Sequence, residues 1–164
     1  MEFETTIKFA KVRPTAKIPT KRDEDMGYDI YADFEEDYIA IAPHETKLIP
    51  TGIASACSDG WGFILKERGS TGSKGMALRC GVIDSGYRNE WFVCITNNNT
   101  VPVFIAKKGA IVPRIINKIY PYEKAIAQCI IEKVPKALMQ EVSYDELKEI
   151  KSERGMGALG SSNK

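Results

Sequence analysis

The sequence predicts an all-β fold, either a barrel or a sandwich, with little helix. Short apolar and β-branched segments recur along the chain, and turn residues such as Pro43-His44-Glu45 and Pro50-Thr51-Gly52 separate them. With 164 residues the chain has the size of one domain that can bury a core. The 23 Lys and Arg residues are balanced by 22 Asp and Glu, so the basic excess typical of nucleic-acid-binding proteins is absent.

The predicted strands are justified by their enrichment in apolar, aromatic and β-branched residues between turns. In chain order they are 5–9, 28–32, 38–42, 47–53, 61–66, 91–96, 101–106, 110–119 and 125–134. The second also shows approximate period-two alternation across 27–33. Ser143 and Glu146 form a capping-box pattern that predicts one short helix over the residues that follow.

The segment 81–91 is predicted to form a tight hairpin with chemical groups on both flanks. Its turn is built on Ser85-Gly86, between the apolar pair Val82-Ile83 and the apolar residues 91–93. Asp84 on one side and Tyr87 on the other suit a small planar ligand beside a water molecule that is to be activated. Taken alone, the segment favours an ordinary surface hairpin without chemistry, and the rest of the chain reverses that preference.

The cysteines and the single histidine do not predict a metal site. Cys57, Cys80, Cys94 and Cys129 form no C-x-x-C pair, and His44 has no second histidine beside it. Free thiols are typical of cytosolic proteins. Because no apolar stretch reaches the length of a membrane span and the first residues lack a secretory pattern, we expect a soluble cytoplasmic protein, or one in the host-cell cytoplasm if it is viral.

Five separated segments resemble, in order, the five motifs of the homotrimeric dUTP diphosphatases, and together they cover most of the chain. They are 26–32, 68–75, 81–91, 126–128 and 154–162. The resemblance implies a jelly-roll-like β-barrel of the dUTPase type. It also implies the hydrolysis of dUTP to dUMP and pyrophosphate, which limits uracil in DNA and supplies dUMP for thymidylate synthesis.

The resemblance implies a role for each matched residue. Asp84 is the catalytic residue that orients and deprotonates the attacking water, and Tyr87 packs on the deoxyribose. The residues implied to contact substrate are Arg68, Gly69, Ser70, Gly81, Val82, Ile83, Tyr87, Gln128, Arg154, Leu159, Gly160 and Ser161. Mg²⁺ is the implied cofactor, carried on the triphosphate, with no direct protein ligand and with Asp29 as a contact through water.

The chain departs from the family pattern at several positions. Gly69 stands where the family usually has serine, so the hydroxyl role passes to Ser70 or is lost. Asn89 replaces a glycine, and Leu159 replaces a phenylalanine that stacks on uracil. The fourth motif lacks its Gly-Asp-Arg portion, so the turn 108–111 is a rival to 126–128 for its position.

The resemblance also implies a domain division and an assembly. Residues 1–152 are expected to form the barrel domain, and residues 153–164 a flexible arm that closes over the active site. Each active site would be shared among three subunits of a homotrimer: motifs two and four from one, the 81–91 segment from a neighbour, and the arm from the third.

Between Asn97 and Glu123 the chain is longer than the compact family pattern. This insertion, about 97–125, contains the basic residues Lys107, Lys108, Arg114, Lys118 and Lys124. One interpretation is a solvated hairpin, and the other is a docking surface for a partner protein. Two alternative functions follow: a regulator that keeps the barrel and binds a partner through the insertion, or the related dCTP deaminase. The deaminase needs a glutamate near the position of Cys94, where this chain has none.

Overall fold

The structure is a computed structural model and describes residues 4–157. Its elements are strands with two short helices, which confirms the predicted all-β class. The strands are β1 (Lys8–Lys11), β2 (Tyr28–Ile30), β3 (Tyr38–Ile41), β4 (Thr46–Pro50), β5 (Ile53–Ala56), β6 (Trp61–Lys66), β7 (Met76–Arg79), β8 (Val82–Ile83), β9 (Phe92–Asn97), β10 (Val103–Ala106), β11 (Lys118–Pro121) and β12 (Ala127–Lys133). The helices are α1 (Gly69–Gly72) and α2 (Tyr144–Glu149).

The strands form four small sheets. Their strand orders are β1-β5, β11-β10-β3, β2-β12-β6-β8 and β4-β9-β7. Every pair is antiparallel except β10 with β11, which run parallel with Ile105 opposite Tyr120. Because no pairing joins these sheets within residues 4–157, closure of the barrel stays a prediction.

Aromatic side chains organise the core where the sheets meet. The ring centroids of Phe63 and Trp91 lie 4.9 Å apart, and those of Phe9 and Trp91 lie 5.4 Å apart, both edge to face. Trp91 is completely buried, and its backbone N–H donates to the carbonyl of Ile53. Such aromatic packing stabilises beyond the area it buries. It therefore fixes the end of the 81–91 segment in the core, while Asp84 stays at the surface.

The prediction of a hairpin over 81–91 was wrong. A turn is present, since the backbone N–H of Tyr87 donates to the carbonyl of Asp84 at 3.1 Å. However, β8 pairs with β6, whereas β9 pairs with β4 and β7 in a different sheet. Turn chemistry predicts where the chain reverses, but the partners of the flanking strands depend on the whole sheet.

Other strand predictions differ from the structure in their limits. The predicted strand 110–119 is wrong for most of its length: β11 begins at Lys118, and Ile111 and Ile116 are 90% and 84% exposed. The predicted strand 47–53 is divided into β4 and β5 by a turn in which Gly52 has a φ of 67°. Strand β7 and helix α1 were not predicted.

The predicted C-terminal helix is confirmed as α2. The Ser143 side chain accepts a hydrogen bond from the N–H of Glu146, and the Glu146 carboxylate accepts one from the N–H of Ser143. Residues 132–157 are all exposed. The domain boundary at 152 stays a prediction. In the part of the chain that the structure describes, no helix has both the length and the apolar character that crossing a bilayer requires.

Candidate active site

A polar cavity of about 450 Å³ brings together residues of the first, second and fourth motifs. Strands β2, β6 and β12 are neighbours in one sheet, and this pairing places the three motifs side by side. The cavity is lined by Arg22, Glu24, Asp25, Met26, Gly27, Asp29, Arg68, Gly69, Ser70 and Gln128. We call it the phosphate cavity.

An ion pair stands at the centre of the phosphate cavity. The Arg68 Nε lies 2.9 Å from the Asp29 Oδ1, and both side chains are about one third exposed. The Arg68 Nη1 also approaches the Ser70 hydroxyl and the Ala125 carbonyl at 3.5 Å each. An arginine fixed by a carboxylate and still open to solvent can turn its remaining N–H groups to a phosphate. The lining has two arginines, Arg22 and Arg68, and three carboxylates, so it carries no net positive charge.

Helix α1 carries Gly69 and Ser70 along one wall of the cavity. It is a single turn that opens at Arg68, whose backbone N–H donates to the Thr71 hydroxyl at 3.0 Å. A Cβ atom on Gly69 would meet nothing within 4 Å, so the fold itself does not require glycine there. Ser70 is half-buried, and its hydroxyl lies 3.1 Å from that of Tyr120.

Gln128 closes the cavity from strand β12. Its side-chain amide donates to the Glu67 carbonyl at 2.7 Å, which fixes the amide beside the start of α1. A Cβ on Gly27 would stand 2.5 Å from the Gln128 Oε1, so a side chain at this position would displace the amide. The rival turn 108–111 contributes no residue to the cavity lining. The structure thus brings 126–128, and not 108–111, to the second motif.

The third motif lines a separate, mostly apolar cavity of about 280 Å³. Its walls are Leu48, Cys80, Val82, Ile83, Asp84, Tyr87, Phe92 and Cys94, and we call it the base cavity. Gly81 precedes it where β8 approaches β6: a Cβ there would lie 2.5 Å from the Leu65 carbonyl oxygen, so only glycine fits. The dCTP deaminase alternative needs a glutamate near position 94. The described residues that line this cavity include Cys94 and no glutamate.

Asp84 is exposed at the rim of the base cavity. Within residues 4–157 its carboxylate makes no hydrogen bond and no ion pair. Both of its oxygens are therefore open to accept a proton from a water molecule. A general base needs this access to the water from which it takes the proton.

A cluster of charged side chains, Arg13, Asp33 and Glu90, stabilises the turn that carries Asp84. The Tyr87 hydroxyl donates to the Glu90 carbonyl at 3.0 Å. The Glu90 carboxylate accepts bonds from Arg13 and from the N–H of Gly52, and Arg13 also pairs with the buried Asp33 at 2.8 Å. The hydrogen bond from Arg13 lowers the pKa of Glu90 below its usual value. Glu90 is thus held in its charged form.

Thiols form part of the base cavity wall. Cys94 is buried, and burial raises the pKa of its thiol, with a further contribution from neighbouring Cys80. Cys80 is exposed, and its φ of 51° is a left-handed backbone conformation directly after the end of β7. Burial raises the pKa of Cys129 in β12 to about 12, so that thiol is inert.

The single chain does not unite all five motifs. The phosphate and base cavities share no lining residue among those described. Arg154 lines neither; it is exposed, and its Nε donates to the Gly157 carbonyl at 3.1 Å. The predicted contacts Leu159, Gly160 and Ser161 lie outside the described residues. The sequence reasoning missed Arg13, Glu90 and Tyr120, because each acts through a partner distant in sequence.

Within residues 4–157, no group of three or more His, Cys, Asp or Glu side chains is arranged to hold a metal ion. The carboxylates around the phosphate cavity nonetheless fit a hydrated Mg²⁺ that arrives on a triphosphate. Asp29 is one third exposed but engaged with Arg68, so it suits contact through water better than direct ligation.

Comparisons with known proteins agree with this geometry. The family model dUTPase matches residues 14–163. The chain is 30% identical over 166 residues to deoxyuridine 5'-triphosphate nucleotidohydrolase from Mycolicibacterium gilvum, covering 98% of this chain and 96% of that protein. It is 29% identical over 166 residues to the protein of the same name from Candida albicans, covering 100% and 92%.

Solved structures show the same fold. A mutant dUTPase of Staphylococcus bacteriophage 80alpha with dUpNHpp is similar with a TM-score of 0.76 and 24% identity, covering 96% of this chain and 98% of that one. Native EIAV dUTPase is similar with a TM-score of 0.64 and 22% identity, covering 85% and 98%. The match of the family model over most of the length, the full-length relatives and the positions of the ordered motifs lead to one conclusion: the chain belongs to the dUTPase family.

Proposed function

We propose that this protein hydrolyses dUTP to dUMP and pyrophosphate. The observation that carries the proposal is the Asp84 carboxylate, which is exposed and without a partner in the described chain, at the rim of a mostly apolar cavity. The relationship to dUTP nucleotidohydrolases supports the same proposal, in which this carboxylate acts as the general base beside a bound pyrimidine nucleotide.

The reaction divides between the two cavities. In the base cavity, Val82 and Ile83 contact the uracil edge through their backbone, and Tyr87 packs on the sugar. Asp84 removes a proton from the water that attacks the α-phosphorus, and the bond between the α-phosphorus and the bridging oxygen breaks. In the phosphate cavity, Arg68, Ser70 and Gln128 bind the oxygens of the departing pyrophosphate. This is catalysis by positioning and by electrostatic stabilisation of the developing charge.

Mg²⁺ bound to the triphosphate would neutralise part of the charge that develops on the leaving pyrophosphate. Asp29, which pairs with Arg68, would hold that ion through its bound water, and Arg68 would bind the phosphate oxygens. The polar lining contributed by Glu24 and Asp25 is compatible with this arrangement. A cytoplasmic location stays a prediction.

A homotrimer would complete the site. Among the described residues the two cavities share no lining residue and Arg154 lines neither, so a shared site in which each subunit contributes different motifs would bring them together. Subunit mixing tests this assembly. Co-expressed Asp84→Asn and Arg68→Ala chains should regain part of the wild-type activity, because some mixed sites contain both native residues. No recovery in mixed trimers would contradict sharing.

The insertion offers a second, additional role as a docking surface for a partner protein. Its loop exposes Ile111, Ile115 and Ile116 beside Arg114 and Lys118, a mixture of apolar and basic groups. Isolated exposed apolar residues are common, but several close together in one loop are typical of interaction surfaces. Replacing the three isoleucines by serine should leave dUTP hydrolysis unchanged and abolish the binding of a partner protein to this loop.

The reaction itself is tested by measuring pyrophosphate release from the four dNTPs, dUTP and UTP in the presence of Mg²⁺. We expect release from dUTP alone, with UTP rejected because Tyr87 leaves no room for a 2′-hydroxyl. Ammonia release from dCTP would instead support a deaminase. An absence of pyrophosphate release from dUTP would refute the proposed function.

A further inference from the structure

Tyr120 joins the insertion to the phosphate cavity. It lies on β11, the strand that ends the insertion, and it is 1% exposed although the neighbouring Lys118 and Ile119 are exposed. Its hydroxyl lies 3.1 Å from the Ser70 hydroxyl and 2.7 Å from the Ala125 carbonyl. We infer that Tyr120 is a positioning residue that orients the Ser70 hydroxyl toward the triphosphate, an inference that rests on the proposed function.

The protons of this cluster can be assigned from the acceptors. A carbonyl oxygen only accepts, so the single proton of the Tyr120 hydroxyl is used at Ala125. The Ser70 hydroxyl must then donate to the Tyr120 oxygen. In the chain without substrate, Ser70 thus presents lone pairs to the cavity, where the Arg68 Nη1 stands at 3.5 Å.

A phosphate oxygen changes this pattern. It is an acceptor, so Ser70 binds it only by turning its proton away from Tyr120. The Tyr120 proton can then rotate from Ala125 to the Ser70 oxygen, and Arg68, already 3.5 Å from the Ala125 carbonyl, supplies that carbonyl with a replacement donor. Every group stays paired in both arrangements, which avoids the cost of a buried unpaired hydroxyl.

The same strand also holds the far end of the second motif. The Lys118 ammonium donates to the Asn99 side chain, and the Asn99 amide donates to the Lys74 carbonyl at 2.8 Å. The Lys74 ammonium lies 5.4 Å above the Tyr120 ring. Strand β11 therefore contacts both Ser70 and Lys74, at opposite ends of the 68–75 segment. The insertion acts as a brace for the phosphate cavity, independently of any partner it binds.

Tyr120 also accounts for the use of Ser70. In the family pattern the serine stands one position earlier, at Gly69. The serine of this chain is displaced by one residue, and the tyrosine hydroxyl is the group that holds it in orientation.

A double-mutant cycle tests the inference. The variants are Tyr120→Phe, Ser70→Ala and the pair, and the ligands are a hydrolysis-resistant dUTP analogue and dUMP, measured by calorimetry with Mg²⁺. We expect Tyr120→Phe to weaken binding of the analogue about three- to tenfold, as the loss of one hydrogen bond predicts. Binding of dUMP should change by less than about twofold, and Tyr120→Phe should add nothing in the Ser70→Ala background.

Tyr38→Phe is the matched control. Its ring packs edge to face on that of Phe104, with the centroids 5.2 Å apart, and it lines neither cavity, so removal of its hydroxyl should leave analogue binding unchanged. Additive effects of Tyr120→Phe and Ser70→Ala, equal losses for the analogue and dUMP, or unfolding of Tyr120→Phe in thermal melts would each overturn the inference. Wild-type hydrolysis of dUTP with an unaffected Tyr120→Phe would refute only the role of Tyr120. A wild-type protein without hydrolysis would overturn the proposed function as well.

Discussion

The phosphate cavity and the base cavity are organised in different ways. In the phosphate cavity Arg68, Ser70 and Gln128 are each bound to other protein groups before any ligand arrives. In the base cavity the Asp84 carboxylate has no partner within the described residues, and the Tyr87 side chain donates from its hydroxyl to a backbone carbonyl, that of Glu90. In the phosphate cavity, hydrogen bonds fix the side chains that would bind the ligand. In the base cavity, hydrogen bonds fix the backbone around Asp84 and leave its carboxylate unbound.

The difference follows from the work that each region would do. A triphosphate needs several donors already fixed, because ordering arginine and glutamine side chains at the moment of binding costs entropy. A general base must instead keep its oxygens available for water, so its neighbours have to fix the backbone without binding the carboxylate. The charged cluster of Arg13, Asp33 and Glu90 fulfils that requirement.

The largest expected effect is in the base cavity. Asp84→Asn removes the proton acceptor and keeps the shape, so kcat should fall about 10²- to 10⁴-fold while affinity for a dUTP analogue changes little. Pyrophosphate release and calorimetry measure the two quantities. A variant with near-normal turnover would show that Asp84 is not the base.

A smaller effect is expected from Arg68→Lys in the phosphate cavity. Lysine keeps the charge but loses the fork of donors that contacts Asp29 and the phosphates together, so KM for dUTP should rise about tenfold. Arg79→Lys is the control, since Arg79 is exposed on β7 and outside the cavity lining. Equal KM values for both variants would contradict a pre-arranged phosphate cavity.

A thiol probe examines the base cavity without mutation. Exposed Cys80 lines this cavity, so a bound dUTP analogue should slow its alkylation by maleimide several-fold, as peptide mass mapping can follow. Cys57, half-buried and absent from the lining, serves as the internal control. Unaltered labelling of Cys80 at saturating analogue would place the pyrimidine elsewhere.

The smallest expected effect concerns stability against pH. The pKa of Glu90 is lowered in the folded chain, so its contribution is complete above the unfolded value of about 4.3 and is lost as pH falls below it. Because one hydrogen-bonded charge is involved, Glu90→Gln should cost about 1–3 kcal/mol of unfolding free energy at pH 7. The difference from wild type should shrink toward pH 3.

Chemical denaturation at a series of pH values measures this dependence. Glu146→Gln is a useful control, since Ser143 lowers the pKa of that exposed carboxylate too, but outside the core. If Glu90→Gln and wild type lost stability in parallel with falling pH, the cluster would not be what holds the Asp84 turn.

The all-β class was predicted correctly from the sequence, but not every predicted strand is present in the structure. The segment 61–66 was predicted with its observed limits, because Trp61 to Lys66 is uniformly apolar or aromatic until its last residue. The segment 110–119 was misread because isoleucines at 111, 115 and 116 have the composition of a strand while facing solvent. Composition reports what a segment could bury, and only the neighbouring chain decides whether it is buried.

The candidate site was predictable where its residues are close in sequence. Arg68 and Ser70 lie in one short segment, and Asp84 and Tyr87 lie in another, so the family resemblance indicated them directly. Glu90 and Tyr120 carry no such pattern. Their roles depend on Arg13 and Ser70, which are separated from them by 77 and 50 residues and are brought near only by folding.

The sequence by itself determined the β class, the order of the motifs and the residue types that the chemistry needs, because turn preferences, apolar segments and short motifs are local properties. The tertiary structure alone decided which strands pair around Asp84, how Gln128 meets Arg68, and that Tyr120 supports Ser70. Those contacts join segments that are distant along the chain, and they form only when the buried core fixes all the segments at once.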